Sequence, residues 1–315
     1  MIEAEYKALI DRDKTLVEFN THFQQLGVML RDMVNYGTQL IPRCFVSSGR
    51  KLPDAIAIGV LLRQIIAMLD GFEVQLSSGS LYSSSLQARS IFETSLLAEW
   101  LLSSDTEKKA HYYYVANLRR DRIWALRTVD GTPERDYFLT VMKGFGLNRN
   151  LDSEEARSEG RRALDEVNDI LSLPEFKSID AEFEKQRRPP KFIEPFWYKA
   201  YGVPSIRSIA EGVGKLHEYE HYYTLLSQAT HAGSYKSHLS FADGSMRFEP
   251  VRSFENLNEL CSLTGSVVIR TFKLYLDVYR GGEPAFVKKY AQDWRPVFMN
   301  IPKVTYTDAG GGPNI

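Results

Sequence analysis

Cysteine is scarce: the 315 residues hold two, Cys44 and Cys261. Two thiols make no disulfide framework and fit a reducing cytosol. Charge of one sign is missing as well. The formal net charge is −1, so no global basic field recruits nucleic acid or an anionic membrane, although a local basic pocket stays open. No uninterrupted apolar run approaches the ~18 residues of a membrane span. Residues 1–7 are acidic and carry no apolar signal core. Glycine-rich phosphate loops are also lacking: Gly144/Gly146 and Gly212/Gly214 have neither the P-loop or Rossmann spacing nor a preceding strand. No segment reads convincingly as a strand and no internal repeat stands out. The expectation is a cytoplasmic protein with no cofactor, no membrane partner and no strong nucleic-acid signature.

Helical periodicity is what the chain does have. Apolar residues make up 43% and charged residues 25%, ordinary for a globular protein. Residues 3–34 predict one long amphipathic helix through Leu9, Leu16, Phe19, Phe23, Leu26 and Leu30. Residues 35–52, with Gly37, Pro42 and Gly49, read as a connection. Asp54 is placed to cap an apolar helix through Ile56, Val60, Leu62, Ile65, Ile66 and Leu69. A helix over 82–103 follows. Another starts at Asp105 and turns Tyr112, Val115, Leu118, Ile123, Trp124 and Leu126 inward. These helices predict an antiparallel bundle.

Residues 128–204 change character. Asp152 with Glu155 resembles a capping box opening a charged helix to about Leu171, whose Glu154, Glu155, Arg157, Glu159, Arg161, Arg162, Asp165 and Glu166 read as a solvated face. A second charged helix runs from Pro174 to Arg187, Pro189 and Pro190 break it, and an aromatic loop follows from Phe192 to Tyr201. Ser205 caps a short helix. A further helix runs to about His231, and residues 232–252 have no period. Phe254–Tyr279 is a long apolar helix ended by Gly281 and Gly282, and Pro284–Trp294 a last short one. The predicted fold class is all-α: an antiparallel helical bundle with a charged helical insertion and a flexible C-terminal tail. One domain spans 1–300, with core helices at 3–127 and 205–295 and the excursion at 128–204; 301–315 is the tail.

Two helices carry polar residues on apolar stripes. In the first, Tyr82, Leu86, Phe92, Leu96, Leu97 and Trp100 fall on one arc at 100° per residue, and Arg89 and Glu93 fall inside it. In the second, Tyr219, Tyr223, Ser227 and His231 stack at i+4 steps into one ridge. A charge inside a core costs several kcal/mol unless it is paired. Arg89 and Glu93 are spaced to pair. They can brace neighbouring helices, or Glu93 can orient Arg89 as a fork of donors for an anion. The ridge offers the same two roles, packing or a ligand site. His231 opens a glycine- and serine-containing segment of the kind that accepts ligands. Ser227 and His231 as a nucleophile pair would leave little room for a substrate and no oxyanion hole.

The loudest motif is His217-Glu218-Tyr219-Glu220-His221, a formal HExxH. Two histidines one turn apart can share zinc with the glutamate as base. Against that, Glu220 puts a charge where such helices are buried, no glycine-then-histidine extension follows, and no sheet is predicted beside it. A basic and aromatic run, from Lys185 through Arg187, Arg188, Lys191 and Phe192 to Phe196, Trp197 and Tyr198, could meet an acidic partner or form a solvated, proline-broken loop.

Arg89-x3-Glu93 after an apolar helix, then Tyr223-x3-Ser227-x3-His231, resembles a microbial group, domain of unknown function family 5677. The segment Ser205–Gly214 resembles it too, and the resemblance spans about residues 50–280. It implies an all-helical domain and a shared polar centre, carried here by Arg89, Glu93, Ser227 and His231, and no established activity. Helical proteins of this style are also similar to the HEPN ribonucleases of toxin–antitoxin and phage-defence systems, which carry Arg, then four to six residues, then His on one helix. No histidine here has an arginine at that distance, so Arg89 and His231 would have to meet across two helices.

Three functions stay open. One is a pocket for a small anion or nucleotide, nucleolytic or defence-related, with Arg89 holding phosphate, Glu93 orienting it, His231 as general acid/base, and Tyr223 and Ser227 contacting the ligand. The alternative is a non-catalytic protein that meets a second copy or a partner protein and uses the polar centre as a brace. The third is a zinc hydrolase with His217, Glu218 and His221.

Overall fold

The computed structural model describes residues 12–143, 153–186, 194–227, 229, 238–242, 245–249, 251–306 and 313–314. The chain is all-α, and the described residues add two short antiparallel strand pairs, one in the part read as aperiodic and one joining Thr305–Tyr306 to Pro313–Asn314. Helix α1 is Arg12–His22 and α2 is Gln24–Ser47. Helix α3 covers Leu52–Ser77, and its segment Ala55–Leu62 is π-helical. Helices α4 (Leu81–Ser103), α5 (Thr106–Leu126), α6 (Pro133–Met142), α7 (Glu154–Leu171) and α8 (Pro174–Gln186) follow. Then come α9 (Trp197–Ala200) and α10 (Ile206–Gly212). Helix α11 joins Leu216–Glu218, a π turn at Tyr219–Tyr223, and Thr224–Ser227. Strands β1 (Leu239–Ala242) and β2 (Ser245–Phe248) pair antiparallel. Helix α12 is Leu257–Arg280, and α13 joins Pro284–Lys289, the π turn Tyr290–Trp294, and Arg295–Met299.

Contacts gather the chain into two compact units, residues 1–103 with 209–315, and residues 104–208.

In the first unit α2, α3, α4 and α12 pack on one another. Leu30, Leu40, Ile65, Phe72, Ile91 and Phe272 are fully enclosed, each contributing about 1.5–3 kcal/mol of burial. The predicted connection at 35–52 is helical to Ser47, with Pro42 inside the helix. The reason is packing: Met33, Gly37, Leu40 and Cys44 keep the buried three-four spacing through it. Gly37 is there for close approach, since a Cβ would meet Ile66 and Phe272 at 2.8 Å. The long first helix breaks at Phe23, between α1 and α2, and Leu16 is exposed; Leu9 lies outside the described residues. Asp54 sits at the third helical position, not at the N-cap: the helix starts earlier, and its carboxylate closes a capping box by accepting the Lys51 N–H at 3.1 Å. The π segment of α3 shifts helical phase, which leaves Val60 exposed. By averaged hydropathy α3 is long and apolar enough to cross a membrane, and half of its apolar window is buried by its neighbours, although its uninterrupted runs are short.

In the second unit α6, α7, α8 and α9 pack on α5. The charged helices are less excursive than their composition suggests. Glu154, Glu155, Glu159, Arg161, Arg162, Asp165 and Glu166 are exposed and Arg157 half-buried, but Gly160, Val167 and Leu171 pack inward, as do Phe176, Ile179 and Phe183 of α8. Ser153, not Asp152, caps α7, accepting the Ala156 N–H at 3.1 Å; Asp152 lies outside the described residues. The aromatic loop buries Trp197 and Tyr198 as α9, while Trp124 is exposed. Residues 187–193, with Arg187, Arg188, Lys191 and Phe192 of the basic run, lie outside the described residues.

Candidate functional site

Helix α4 buries the line Leu81, Ser84, Ala88, Ile91/Phe92 and Ser95, a three-four spacing that faces the core. Arg89 and Glu93 lie on the shoulder of that line, not inside it, and Leu86 is exposed. The predicted arc was centred too far round the helix: Leu86 faces solvent, while Ser84, Ala88 and Ser95 are buried alongside Ile91 and Phe92. The Arg89 side chain is 17% exposed and that of Glu93 28%.

Helix α11 packs against this shoulder. Arg89 Nε donates to Glu93 Oε1 at 2.7 Å, and Arg89 Nη2 donates to the Tyr223 hydroxyl at 2.6 Å. The guanidinium also lies 4.6 Å from the centre of the Tyr223 ring, a cation–π contact. Tyr219 stacks on Tyr223, with centroids 4.4 Å apart and planes 16° apart. Burial works against the charge of Arg89, but the hydrogen bond and charge of Glu93, then Tyr223, outweigh it and raise its pKa. Burial, then Tyr223, Glu93 and Glu220, push the Tyr219 phenol up to about 12. The same face of α4 carries Tyr82, two turns before Arg89, whose ring meets the edge of His238 at 4.7 Å at the base of the hairpin.

The structure thus brings Arg89, Glu93 and Tyr223 together and adds Tyr219, Glu220 and Tyr82 to the neighbourhood. Of the predicted ridge, Tyr219 and Tyr223 stack on one another. The π turn widens the helix, so the phase after Tyr223 departs from a 3.6-residue period. Leu226 becomes the buried contact and Ser227 is half-buried. His231 lies outside the described residues.

The HExxH residues point elsewhere. His217 is 78% exposed, and His221 is exposed beside Tyr222. Glu218 accepts two hydrogen bonds, at 3.0 and 2.8 Å, from the Arg270 guanidinium of α12. A carboxylate held that way is no free base, and the π turn begins between the two histidines. Among the described residues no group of three or more His, Cys, Asp or Glu is arranged to hold a metal. Glu218–Arg270 and Arg89–Tyr223 therefore pin α11 to α12 and to α4.

Sequence reasoning missed a second arginine centre, in the 104–208 unit. Arg119 is 0% exposed. It donates to Glu194 at 2.9 and 3.0 Å, to Glu184 at 2.6 Å, and to Asp180. The signal was present: Tyr112, Val115, Arg119 and Ile123 recur at threes and fours, all buried, and Asp180 and Glu184 sit one turn apart on α8.

A model of the family described as "Family of unknown function (DUF5677)" matches residues 55–246, well over half of the chain. That stretch contains Arg89, Glu93, Tyr219, Tyr223 and Ser227 and leaves out Arg270. No curated protein and no solved structure matches the chain.

Proposed function

The chain belongs to this family of unknown function, and on that premise we propose that the α4–α11 face binds a nucleotide-like anion. Arg89 meets its phosphate, and the stacked Tyr219 and Tyr223 rings meet its base. The observation that carries the reading is the setting of Arg89: partly open to solvent, oriented by a carboxylate and a phenol, and lying beside a tyrosine stack on a π turn. A guanidinium so oriented is a planar donor fork for phosphate, and aromatic faces accept any planar base. π turns occur frequently at functional sites. The ligand takes the place of the Tyr223 hydroxyl on the guanidinium, and Glu93 keeps the fork aligned. If the bound molecule is cleaved, His231 is the general acid/base on offer, and a cytosolic nucleolytic role in defence is the finer form of this proposal.

The second reading is a brace in a non-catalytic interaction protein, favoured by the hydrogen bond with which Arg89 ties α4 to α11. Thermal melts of the full chain with AMP, ATP and inorganic phosphate separate the two. The binding reading expects a nucleotide to raise Tm, and Arg89→Lys to abolish that rise with only a small fall in the ligand-free Tm, of the size of one lost hydrogen bond. No rise with any probe, together with a large fall in the ligand-free Tm of Arg89→Lys, sinks it and leaves the brace.

A further inference from the structure

We propose a second binding site, in the groove between α12 and α13, for a long-chain carboxylate. The groove holds about 530 Å³, within the range of small-molecule sites. Ile269, Phe286, Val287, Phe298 and Met299 make its walls apolar, and Val287 and Met299 stand 61% and 72% exposed. Its α12 side runs through Ser262, Ser266, Ile269, Arg270 and Lys273, about 16 Å of helix. Gly265 lets the wall close: a Cβ there would meet the Phe298 ring at 2.1 Å.

The charges that line this trough are both cations, Arg270 and Lys273, one turn apart near one end of the stripe. Their acidic partners, Glu218 and Asp277, are not among the lining residues. Lys273 and Asp277 form an exposed i,i+4 pair, which is weak, so the Lys273 ammonium can turn to a ligand. Arg270, held by Glu218, adds its positive field. An apolar trough with a cationic end matches a molecule with an apolar chain and an anionic head. The groove lies outside residues 55–246, so this site stands or falls independently of the α4–α11 face.

The test is calorimetric titration of the full chain with dodecanoate, dodecanol and dodecyltrimethylammonium, each below its micelle-forming concentration. Dodecanoate is expected to bind about tenfold or more tightly than the other two. Lys273→Glu is expected to weaken it about tenfold, Lys273→Arg to preserve it, and Met299→Glu to weaken it again, with ligand-free Tm unchanged in each variant. Equal binding of the three amphiphiles, absence of dodecanoate binding, or indifference to Lys273→Glu overturns the proposal. So does sedimentation showing a dimer that Met299→Glu dissociates, because a second copy then covers the groove.

Discussion

Arg89 and Arg119 sit on consecutive helices, each beside apolar residues, each facing carboxylates placed one turn apart or one turn away. Their settings differ in two respects. Arg119 is sealed from water and meets Asp180, Glu184 and Glu194, with Arg122 at 3.4 Å from two of them. Arg89 is 17% exposed and has Glu93 and the Tyr223 phenol among its partners. A buried guanidinium with several carboxylates is locked, because losing any partner leaves charge in a low-dielectric interior. A guanidinium that keeps some contact with water can exchange partners at lower cost than a sealed one, because water partly screens the intermediate. Residue type and spacing are shared; burial and partner set separate a brace from a candidate site.

The comparison can be broken most forcefully at Arg119. Arg119→Met leaves Asp180, Glu184 and Glu194 facing one another, and urea unfolding is expected to show a loss of about 3–5 kcal/mol. A loss as small as that of an exposed pair would refute the lock. Arg89→Ala is expected to cost less, about 1–2 kcal/mol, between the values for buried and exposed charged pairs, and to abolish any nucleotide-induced rise in Tm. Equal losses at the two positions would make Arg89 a brace as well. Tyr223→Phe keeps the ring stack and removes one hydrogen bond, so about 1 kcal/mol is expected; a larger loss would place the weight of the cluster on the hydroxyl.

The alkaline limb sharpens the contrast further. Burial and the neighbouring Tyr223, Glu93 and Glu220 push the Tyr219 phenol up to about 12, above the ordinary tyrosine value of about 10. A raised pKa means that the folded state holds the proton more tightly. Its stabilising contribution is therefore complete below about pH 10 and is lost as pH rises towards 12. Stability against pH, followed with tyrosinate absorbance, should fall through that window, and Tyr219→Phe should flatten the fall. Tyr112 of the second unit is raised further, by burial and by its hydrogen bond to Glu182, so its ionisation should come later. As the smallest effect, Arg162→Ala on the solvated face of α7 is expected to leave unfolding unchanged, since its partner Glu166 is 3.9 Å away and both are exposed.

Local signals were legible. The end of α4 at Ser103, the Ser205 cap on α10 (Ser208 N–H to Ser205 Oγ, 3.1 Å) and the Gly281 stop of α12 with φ of 66° all appear where the residues predict them. These features depend on a few adjacent residues and on backbone chemistry. Pro42 misled because tertiary packing of Met33, Leu40 and Cys44 outweighs one missing N–H. Arg119 lay in plain view on an apolar stripe, but its meaning needed partners 61 to 75 positions away. The π turns in α3 and α11 defeat any reading at a fixed 3.6-residue period, which is why Val60 was assigned to the wrong face.

By itself the sequence determined an all-helical chain, most helix ends, and the pairing of Arg89 with Glu93, because helical periodicity, capping and i,i+4 spacing are short-range. Tertiary structure alone decided that Arg89 reaches Tyr223 while Glu218 is taken by Arg270, and that Arg119 is sealed while Arg89 keeps some contact with water. Those outcomes depend on how distant helices approach, on one-residue shifts of helical phase, and on the water that packing excludes.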